Sequence, residues 1–269
     1  MRSFIRWAGS KRQALHLLRK HWLGTPARYI EPFAGSSCLF FDLQPNDAVL
    51  GDINGELIRS LRGVQRNVGL VLECYHRLRK SREAYYALRR VNPRQLSEAE
   101  CAARFIYLNR YCFNGLYRTN SRGQFNVPYA RPKSRGSLDE NLLVAASRAL
   151  QYAILVNEDF QKTLIHARRG DFAYLDPPYV TSSRRVFCEY LPGSFSKEDL
   201  GRLGGALQEL DAEGVTFVIT YGDSPEARKL LARWNTRRFR TRRNIAGFCG
   251  HRRDSYELLA TNRQLGESL

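Results

Sequence analysis

The sequence predicts an α/β fold, a Rossmann-like sheet of buried strands carrying a helical and β-hairpin insertion. Three observations predict it. Short apolar runs such as Ala153-Ile154-Leu155-Val156 and Phe172-Ala173-Tyr174-Leu175 have the length and continuity of buried strands. They alternate with helical patterns, as parallel βαβ units require. Residues 29–37 then read as strand, tight small-residue loop and helix start, the opening of such a unit. The alternation lapses between Gly55 and about Leu150. This divides the chain into a sheet-forming part, 1–54 with 151–269, and an inserted part, 55–150.

Composition limits the functions open to this fold. At 269 residues the chain can bury a substantial core, and 43% hydrophobic content with 12% aromatics is that of a globular protein. The net charge is +17, with arginine far outnumbering lysine, so an anionic polymer is the expected partner, nucleic acid ahead of membrane. No hydrophobic stretch is long enough to span a bilayer, and the N-terminus lacks the apolar core of a signal peptide. The six cysteines are scattered, without a CxxC pair or a histidine at ligand spacing. A reduced, cytoplasmic protein without a metal site is the expectation.

Taken in order, the chain opens with Phe4-Ile5-Arg6-Trp7-Ala8-Gly9-Ser10-Lys11, followed by a helical pattern with leucines at 15, 18 and 23. The Gly-Ser turn between Trp7 and Lys11 suits either a carboxylate-bearing small molecule or a simple helix start. In Glu31-Pro32-Phe33-Ala34-Gly35-Ser36 the small residues let a ligand approach the backbone, but the full G-x-G-x-x-G is missing. A dinucleotide pyrophosphate therefore fits poorly. Glu31, at the strand end, suits a cationic or amine-bearing ligand. The next strand, Ala48 to Gly51, ends at Asp52, placed to accept both ribose hydroxyls of a nucleoside. Each carboxylate alone is an ordinary turn former. Together and in this order they point to S-adenosylmethionine, which carries a cationic sulfonium and no phosphate.

Residues 55–91 and 97–114 read as helical, with apolar stripes that belong to a core. From Asn109 to Tyr129 the character changes. Two turn signals, Asn114-Gly115 and Arg122-Gly123, bracket a candidate β-ribbon. Arg110, Arg118 and Arg122 interleave with Asn109, Asn120 and Asn126 and with aromatic residues. Arginine can pair bidentately with a guanine edge, and an aromatic or amide can wedge into a base step. A basic run with Arg131, Lys133 and Arg135 continues the stripe, where phosphate contacts would add affinity without sequence information.

Alternation resumes at Ala153–Val156 and passes a short helix to Phe172–Leu175. That strand ends at Asp176-Pro177-Pro178-Tyr179. The prolines stiffen the turn and leave its carbonyls facing whatever lies above the strand. A carboxylate, a carbonyl and an aromatic face can together hold a planar amine. The tetrapeptide alone would equally serve as a plain turn. Val180 to Ser194 is a long polar, basic and aromatic connection in which Phe187 and Tyr190 are candidates for a second stacking face. Ser196 and Asp199 form a variant capping box for a helix to Ala212. Thr216–Tyr221 reads as a strand, and 237–245 with 256–261 as a final strand pair.

The ordered motifs resemble those of the Dam-type DNA adenine-N6 methyltransferases. The likeness covers nearly the whole length. It is carried by Arg6-Trp7-Ala8-Gly9-Ser10-Lys11, Glu31-Pro32-Phe33-Ala34-Gly35, Gly51-Asp52-Ile53-Asn54, the Asn109–Pro128 block, Asp176–Tyr179, Arg242-Arg243-Asn244-Ile245 and Glu257-Leu258-Leu259. The 109–128 block, with Asn-Gly-Leu-x-Arg-x-Asn and Phe-Asn-Val-Pro, is the most specific piece. Phe113 keeps the ring but lacks the hydroxyl that several members carry there, and Ser10 replaces a glycine.

The resemblance implies an S-adenosylmethionine-dependent methyltransferase sheet with an inserted DNA-recognition domain. Trp7 and Lys11 would help hold the cofactor's methionine part, with Glu31 and the Ala34–Ser36 loop beneath it; Asp52 would take the ribose, Phe160 would flank the adenine, and Phe33 and Asp176 would also touch the cofactor. Arg118 would read a guanine, Leu116 and Pro128 would touch neighbouring bases, and Phe113 with Asn114 would support the opened step. Arg6, Asn109, Arg110, Asn120, Arg122 and Asn126 join the expected DNA contacts. Asp176 and the Pro177 carbonyl would accept from the N6 amine of a flipped adenine, with Pro178 fixing the turn and Tyr179 stacking on the base. S-adenosylhomocysteine would be the product, and no metal is called for. The expected acceptor is double-stranded DNA, at GATC, and the expected acting form a monomer. A restriction-modification enzyme with a longer GAT-containing site, and an RNA adenine methyltransferase, are the alternatives.

Overall fold

A computed structural model describes residues 1–130, 138–179, 195–242 and 254–263. Its centre is a seven-stranded sheet in the order β3-β2-β1-β4-β5-β7-β6. The strands are β1 (Tyr29–Glu31), β2 (Ala48–Gly51), β3 (Ala153–Val156), β4 (Phe172–Leu175), β5 (Thr216–Gly222), β6 (Asn235–Arg242) and β7 (Asp254–Thr261). The first five run parallel, and β7 lies antiparallel between β5 and β6. This is a mixed α/β architecture with an antiparallel hairpin at one edge.

The central strands are apolar throughout because both faces are covered. Along β1 and β4, Tyr29, Phe172 and Tyr174 face one apolar cluster, and Ile30, Ala173 and Leu175 face the other. The first cluster continues into the segment between β2 and β3. There α3 (Gly55–Arg66), α4 (Val68–His76), α5 (Arg82–Arg90), α6 (Glu98–Tyr111) and α7 (Glu140–Leu150) pack with buried Leu57, Leu61, Tyr85, Phe105 and Leu143. The second cluster lies under α8 (Phe160–Leu164), α9 (Lys197–Ala212) and α10 (Pro225–Leu231). Earlier in the chain, α1 (Leu15–Leu18) is a single turn flanked by 3-10 turns, and α2 (Cys38–Leu43) follows β1.

The helical stretch 55–91 is made of three helices. Asn67 breaks it by capping α4 through the Leu70 N–H, and Ser81 caps α5 through the Ala84 N–H. The Ser196/Asp199 capping box of α9 is present in both directions. The helices α7 and α10, unread in the sequence, start at the side-chain caps Asp139 and Ser224.

The ribbon also differs in detail. Backbone bonds Asn126→Arg118 and Asn120→Gln124 close a hairpin around Gly123, and Phe113→Pro128 with Ala130→Tyr111 join its outer ends. Asn114-Gly115 is not a hairpin turn. Both residues have positive φ, at 54° and 65°, and form a short 3-10 kink that interrupts the outgoing strand. Among the described residues no helix is long and apolar enough to cross a membrane.

Candidate active site

The strand order reverses between β1 and β4. In an open parallel sheet, the crevice beyond the C-terminal ends at such a reversal is the natural ligand site. Glu31 ends β1, Asp52 follows β2 and Asp176 follows β4, so three carboxyl groups share this edge. A shallow cleft lined by Thr25, Pro26, Gly170, Asp171 and Thr216 lies at the opposite ends of the strands, away from them.

Asp176 is held from two sides. Lys11 Nζ donates to its Oδ1 at 2.6 Å, and Thr220 Oγ1 donates to the same oxygen at 3.0 Å. Thr220 lies in turn 3.2 Å from the Tyr174 hydroxyl. Lys11 is buried, donates also to the Gly9 carbonyl, and stands 3.7 Å from Glu257 Oε2 and 5.4 Å from the Tyr179 ring centre. Burial opposes the ammonium, but the Asp176 and Glu257 carboxylates outweigh it and raise the Lys11 pKa, so the charge is kept. The sequence left Lys11 open to a ligand's carboxylate or to a simple helix start; in the structure its ammonium pairs with Asp176.

Tyr179 packs on Tyr221, with ring centres 5.1 Å apart, and over Gly222. A Cβ at residue 222 would lie 3.1 Å from the Tyr179 ring, so glycine there lets the ring settle on the end of β5. Burial raises the Tyr179 hydroxyl well above its usual range, which keeps it neutral. Within the turn, Pro177 is buried and Pro178 exposed.

The loop after β1 is shaped by its small residues. Gly35 has a φ of +46°, and a Cβ there would fall 2.9 Å from Trp7 Nε1. The Gly35 and Asn54 N–H groups each donate to one oxygen of Asp52 at 2.9 Å, which fixes the half-buried carboxylate and leaves each oxygen further acceptor capacity. Ser36 lies 3.1 Å from Ser10, tying this loop to the N-terminal turn. Ala34 is buried behind it. Glu31 is buried and accepts from the Tyr29 hydroxyl at 2.9 Å. Desolvation pushes its pKa well above the ordinary carboxylate range, and the charges of Asp176 and Asp52 push the same way.

Phe160, expected from the resemblance to flank the cofactor adenine, lies in an aromatic group. It is buried, stacks on Phe33 at 5.2 Å, meets Phe195, and has the Arg202 guanidinium 4.9 Å from its ring. Trp7 stacks on Tyr117 and Phe105 from the segment between β2 and β3, at 5.4 and 6.5 Å. One indole thus touches both that segment and the loop after β1.

In the 109–128 block, Phe113, Asn114, Arg122 and Pro128 are exposed, while Arg110, Leu116, Arg118, Asn120 and Asn126 are half-buried. Arg118 Nε donates to Asn126 Oδ1 at 2.8 Å, which orients the guanidinium. Two asparagines expected among the DNA contacts also bond to the backbone. Asn109 is buried, and its amide accepts from the Arg6 N–H and donates to the Arg6 and Gly115 carbonyls. Asn120 Oδ1 accepts from the Arg122 and Gln124 N–H groups, so this side chain builds the turn. Arg6 itself is exposed, and its stem packs so closely on Gly115 that a Cβ there would lie 2.7 Å from it. Arg131, Lys133, Arg135, Phe187 and Tyr190 lie outside the described residues.

Thr220, Glu257, Tyr221 and Gly222 were not singled out for roles from the sequence. The parallel pairing of β4 with β5 sets Thr220, Tyr221 and Gly222 beside the Asp176 turn, and the pairing of β5 with β7 adds Glu257 opposite Gly222. Among the described residues no group of three or more His, Cys, Asp or Glu side chains is placed to hold a metal ion.

Comparison with known proteins shows the family. The model of the family described as D12 class N6 adenine-specific DNA methyltransferase matches residues 7–245. The chain is 36% identical to the type II methyltransferase M1.LlaDCHI of Lactococcus lactis subsp. cremoris, over 97% of this chain and 95% of the relative. It is 31% identical to the type II methyltransferase M.MjaIII of Methanocaldococcus jannaschii, over 97% and 99%. With the DNA adenine methylase of Escherichia coli strain K12 it shares 30% identity, over 96% and 94%.

Proposed function

This chain belongs to the D12 class N6 adenine-specific DNA methyltransferase family and is an adenine-specific DNA methyltransferase; from that premise we propose that it uses S-adenosylmethionine to methylate a flipped adenine within GATC in duplex DNA, acting as a monomer. The observation that carries the reading is the juxtaposition at one crevice of the Asp176–Tyr179 turn, the Asp52 carboxylate and the small-residue loop after β1.

The donor set fits the cofactor. Asp52 has acceptor capacity for ribose hydroxyls, the Phe33–Ser36 loop offers close backbone approach, and Glu31 becomes a counter-charge once a cation lies beside it. Trp7, packed against Gly35, shapes the same cradle. When bound, S-adenosylmethionine supplies an electrophilic methyl group on a sulfonium. Asp176 and the Pro177 carbonyl accept the two hydrogens of the adenine amine and orient its lone pair. Tyr179 covers the base. Asp176 need not be a strong base, because the proton departs after nitrogen has become cationic.

Residues 55–150 are assigned to target recognition. Arg118, oriented by Asn126, reads a guanine edge; Leu116 and Pro128 touch neighbouring bases; exposed Phe113 and Asn114 enter the opened step. Arg6, Arg110 and Arg122 lie along the same strip as backbone contacts, with Asn109 holding Arg6 in place.

The test is methyl transfer from labelled cofactor to two matched duplexes, one with GATC and one with those bases shuffled, followed by nucleoside analysis. N6-methyladenine in the GATC duplex alone is expected. A second reading of the site follows from the relatives: two type II methyltransferases stand at 36% and 31% identity, beside 30% for the DNA adenine methylase. A longer GAT-containing target would appear as transfer to random genomic DNA and to neither short duplex.

A further inference from the structure

Glu257 has no part in the reaction outlined above, yet it is buried against the reacting group's counter-ion. It sits on β7 opposite Gly222, the residue that receives the Tyr179 ring. Its Oε2 is 3.7 Å from Lys11 Nζ, and its Oε1 is 3.4 Å from Thr241 Oγ1. Lys11 therefore faces two carboxylates, at side-chain exposures of 18% for Asp176 and 8% for Glu257. Both are shielded enough for charge to matter.

We propose that Glu257 is a positioning residue that sets the net charge of the methyl-transfer pocket, while Lys11 and Thr220 saturate Asp176 Oδ1 and leave Oδ2 to the substrate amine. A carboxylate oxygen has two lone-pair directions. On Oδ1 both are used, by Nζ at 2.6 Å and Oγ1 at 3.0 Å. The inference rests on the reading of the site as an S-adenosylmethionine-dependent one, and it concerns what that site needs electrically.

Adenine N6 forms its bond to the methyl carbon with its own lone pair, and the electrons of the broken carbon–sulfur bond remain on sulfur. Positive charge thus moves onto N6 until a proton is released to water. A Lys11–Asp176 pair alone would be neutral and would set an ammonium close to that forming cation. The Glu257 carboxylate, 3.7 Å from Lys11 Nζ, adds a negative charge beside that ammonium and offsets its field. The new cation then meets less repulsion than the Lys11–Asp176 pair alone would give. Preorganised charge of this kind acts on the transition state without reorganisation.

The experiment compares wild type, Glu257→Gln and Glu257→Asp in single-turnover methylation of a duplex that the wild type modifies. Calorimetry gives each protein's affinity for S-adenosylhomocysteine and for an analogue with an ammonium in place of the sulfonium. Glu257→Gln should slow single turnover about 10- to 100-fold while thermal unfolding and S-adenosylhomocysteine affinity stay near wild type. The preference for the cationic analogue over the neutral one should fall about tenfold. Glu257→Asp, which keeps the charge, should retain most of both. An unchanged rate and analogue preference in Glu257→Gln would overturn the inference, as would equal losses in the Asp and Gln variants, since those mark shape rather than charge. Wild type that transfers no methyl group to any DNA would overturn the reading beneath it instead.

Discussion

The catalytic edge and the 109–128 block solve opposite problems with similar side chains. At the catalytic edge the polar groups are themselves buried and engage one another: Lys11 with Asp176 and Glu257, Asp176 with Thr220, Glu31 with Tyr29. In the 109–128 block Phe113, Asn114 and Pro128 are exposed, and the buried polar groups lie one layer down. Asn109 grips the backbone at Arg6 and Gly115, Tyr85 donates to the Val127 carbonyl, and Tyr117 donates to Glu56, which is ion-paired with buried Arg104. On the proposed reading, chemistry is built from buried coupled groups, and recognition from groups paired locally, as Arg118 is with Asn126, on a fixed backbone. Substitutions at the first should be costly and non-additive, whereas those at the second should be local.

The largest expected effect lies at the catalytic edge. Asp176→Ala should reduce turnover about 10³-fold or more while S-adenosylhomocysteine still binds, as calorimetry would show. Appreciable residual methylation would remove Asp176 from its assigned role. Next comes the layer beneath the recognition strip. Glu56→Ala strands the buried Arg104 guanidinium and should destabilise the fold by about 3–5 kcal/mol in urea unfolding. A loss within error would mean that Glu56 does not support the strip and would blur the contrast.

At the strip itself, Arg118→Ala should leave stability unchanged and weaken discrimination at one guanine by about 1–3 kcal/mol. Competition between duplexes differing at that base pair would measure it, and an equal loss at every position would make Arg118 a phosphate contact. The smallest effect is graded by pH. Glu31 has a raised pKa in the fold, so the stability it contributes is full below its ordinary value near 4.5 and is lost as pH rises through the folded value. Wild type should therefore lose stability relative to Glu31→Gln over that rise. Cofactor binding should release a proton from wild type and not from the variant, measured in buffers of different ionisation enthalpy.

What the sequence revealed follows the same division. The strands were legible because both faces of β1, β4 and β5 are covered, which makes their apolar runs continuous. Asp52 and Asp176 were legible because each directly follows such a run. Thr220 and Glu257 were not, since a residue inside a strand reveals nothing of the strand it will pair with. Asn109 and Asn120 show a different limit. An amide serves DNA or a backbone equally well, and the sequence does not carry the burial of Asn109 or the turn bonds of Asn120. Likewise Asn114-Gly115 signals a left-handed backbone correctly but not whether the chain reverses there.

The route taken by the first eleven residues has a consequence for how the enzyme comes into being. Trp7 and Lys11 leave the ribosome early, but Asn109 is 103 residues from its bond to Arg6, and Asp176 is 165 residues from Lys11. Strand β7, which brings Glu257, inserts between β5 and β6 after both have been made. Contacts of such long sequence separation form late and slowly. The N-terminal segment is held by partners from three distant parts of the sequence, so the Lys11–Asp176–Glu257 cluster is complete only once β7 has entered the sheet.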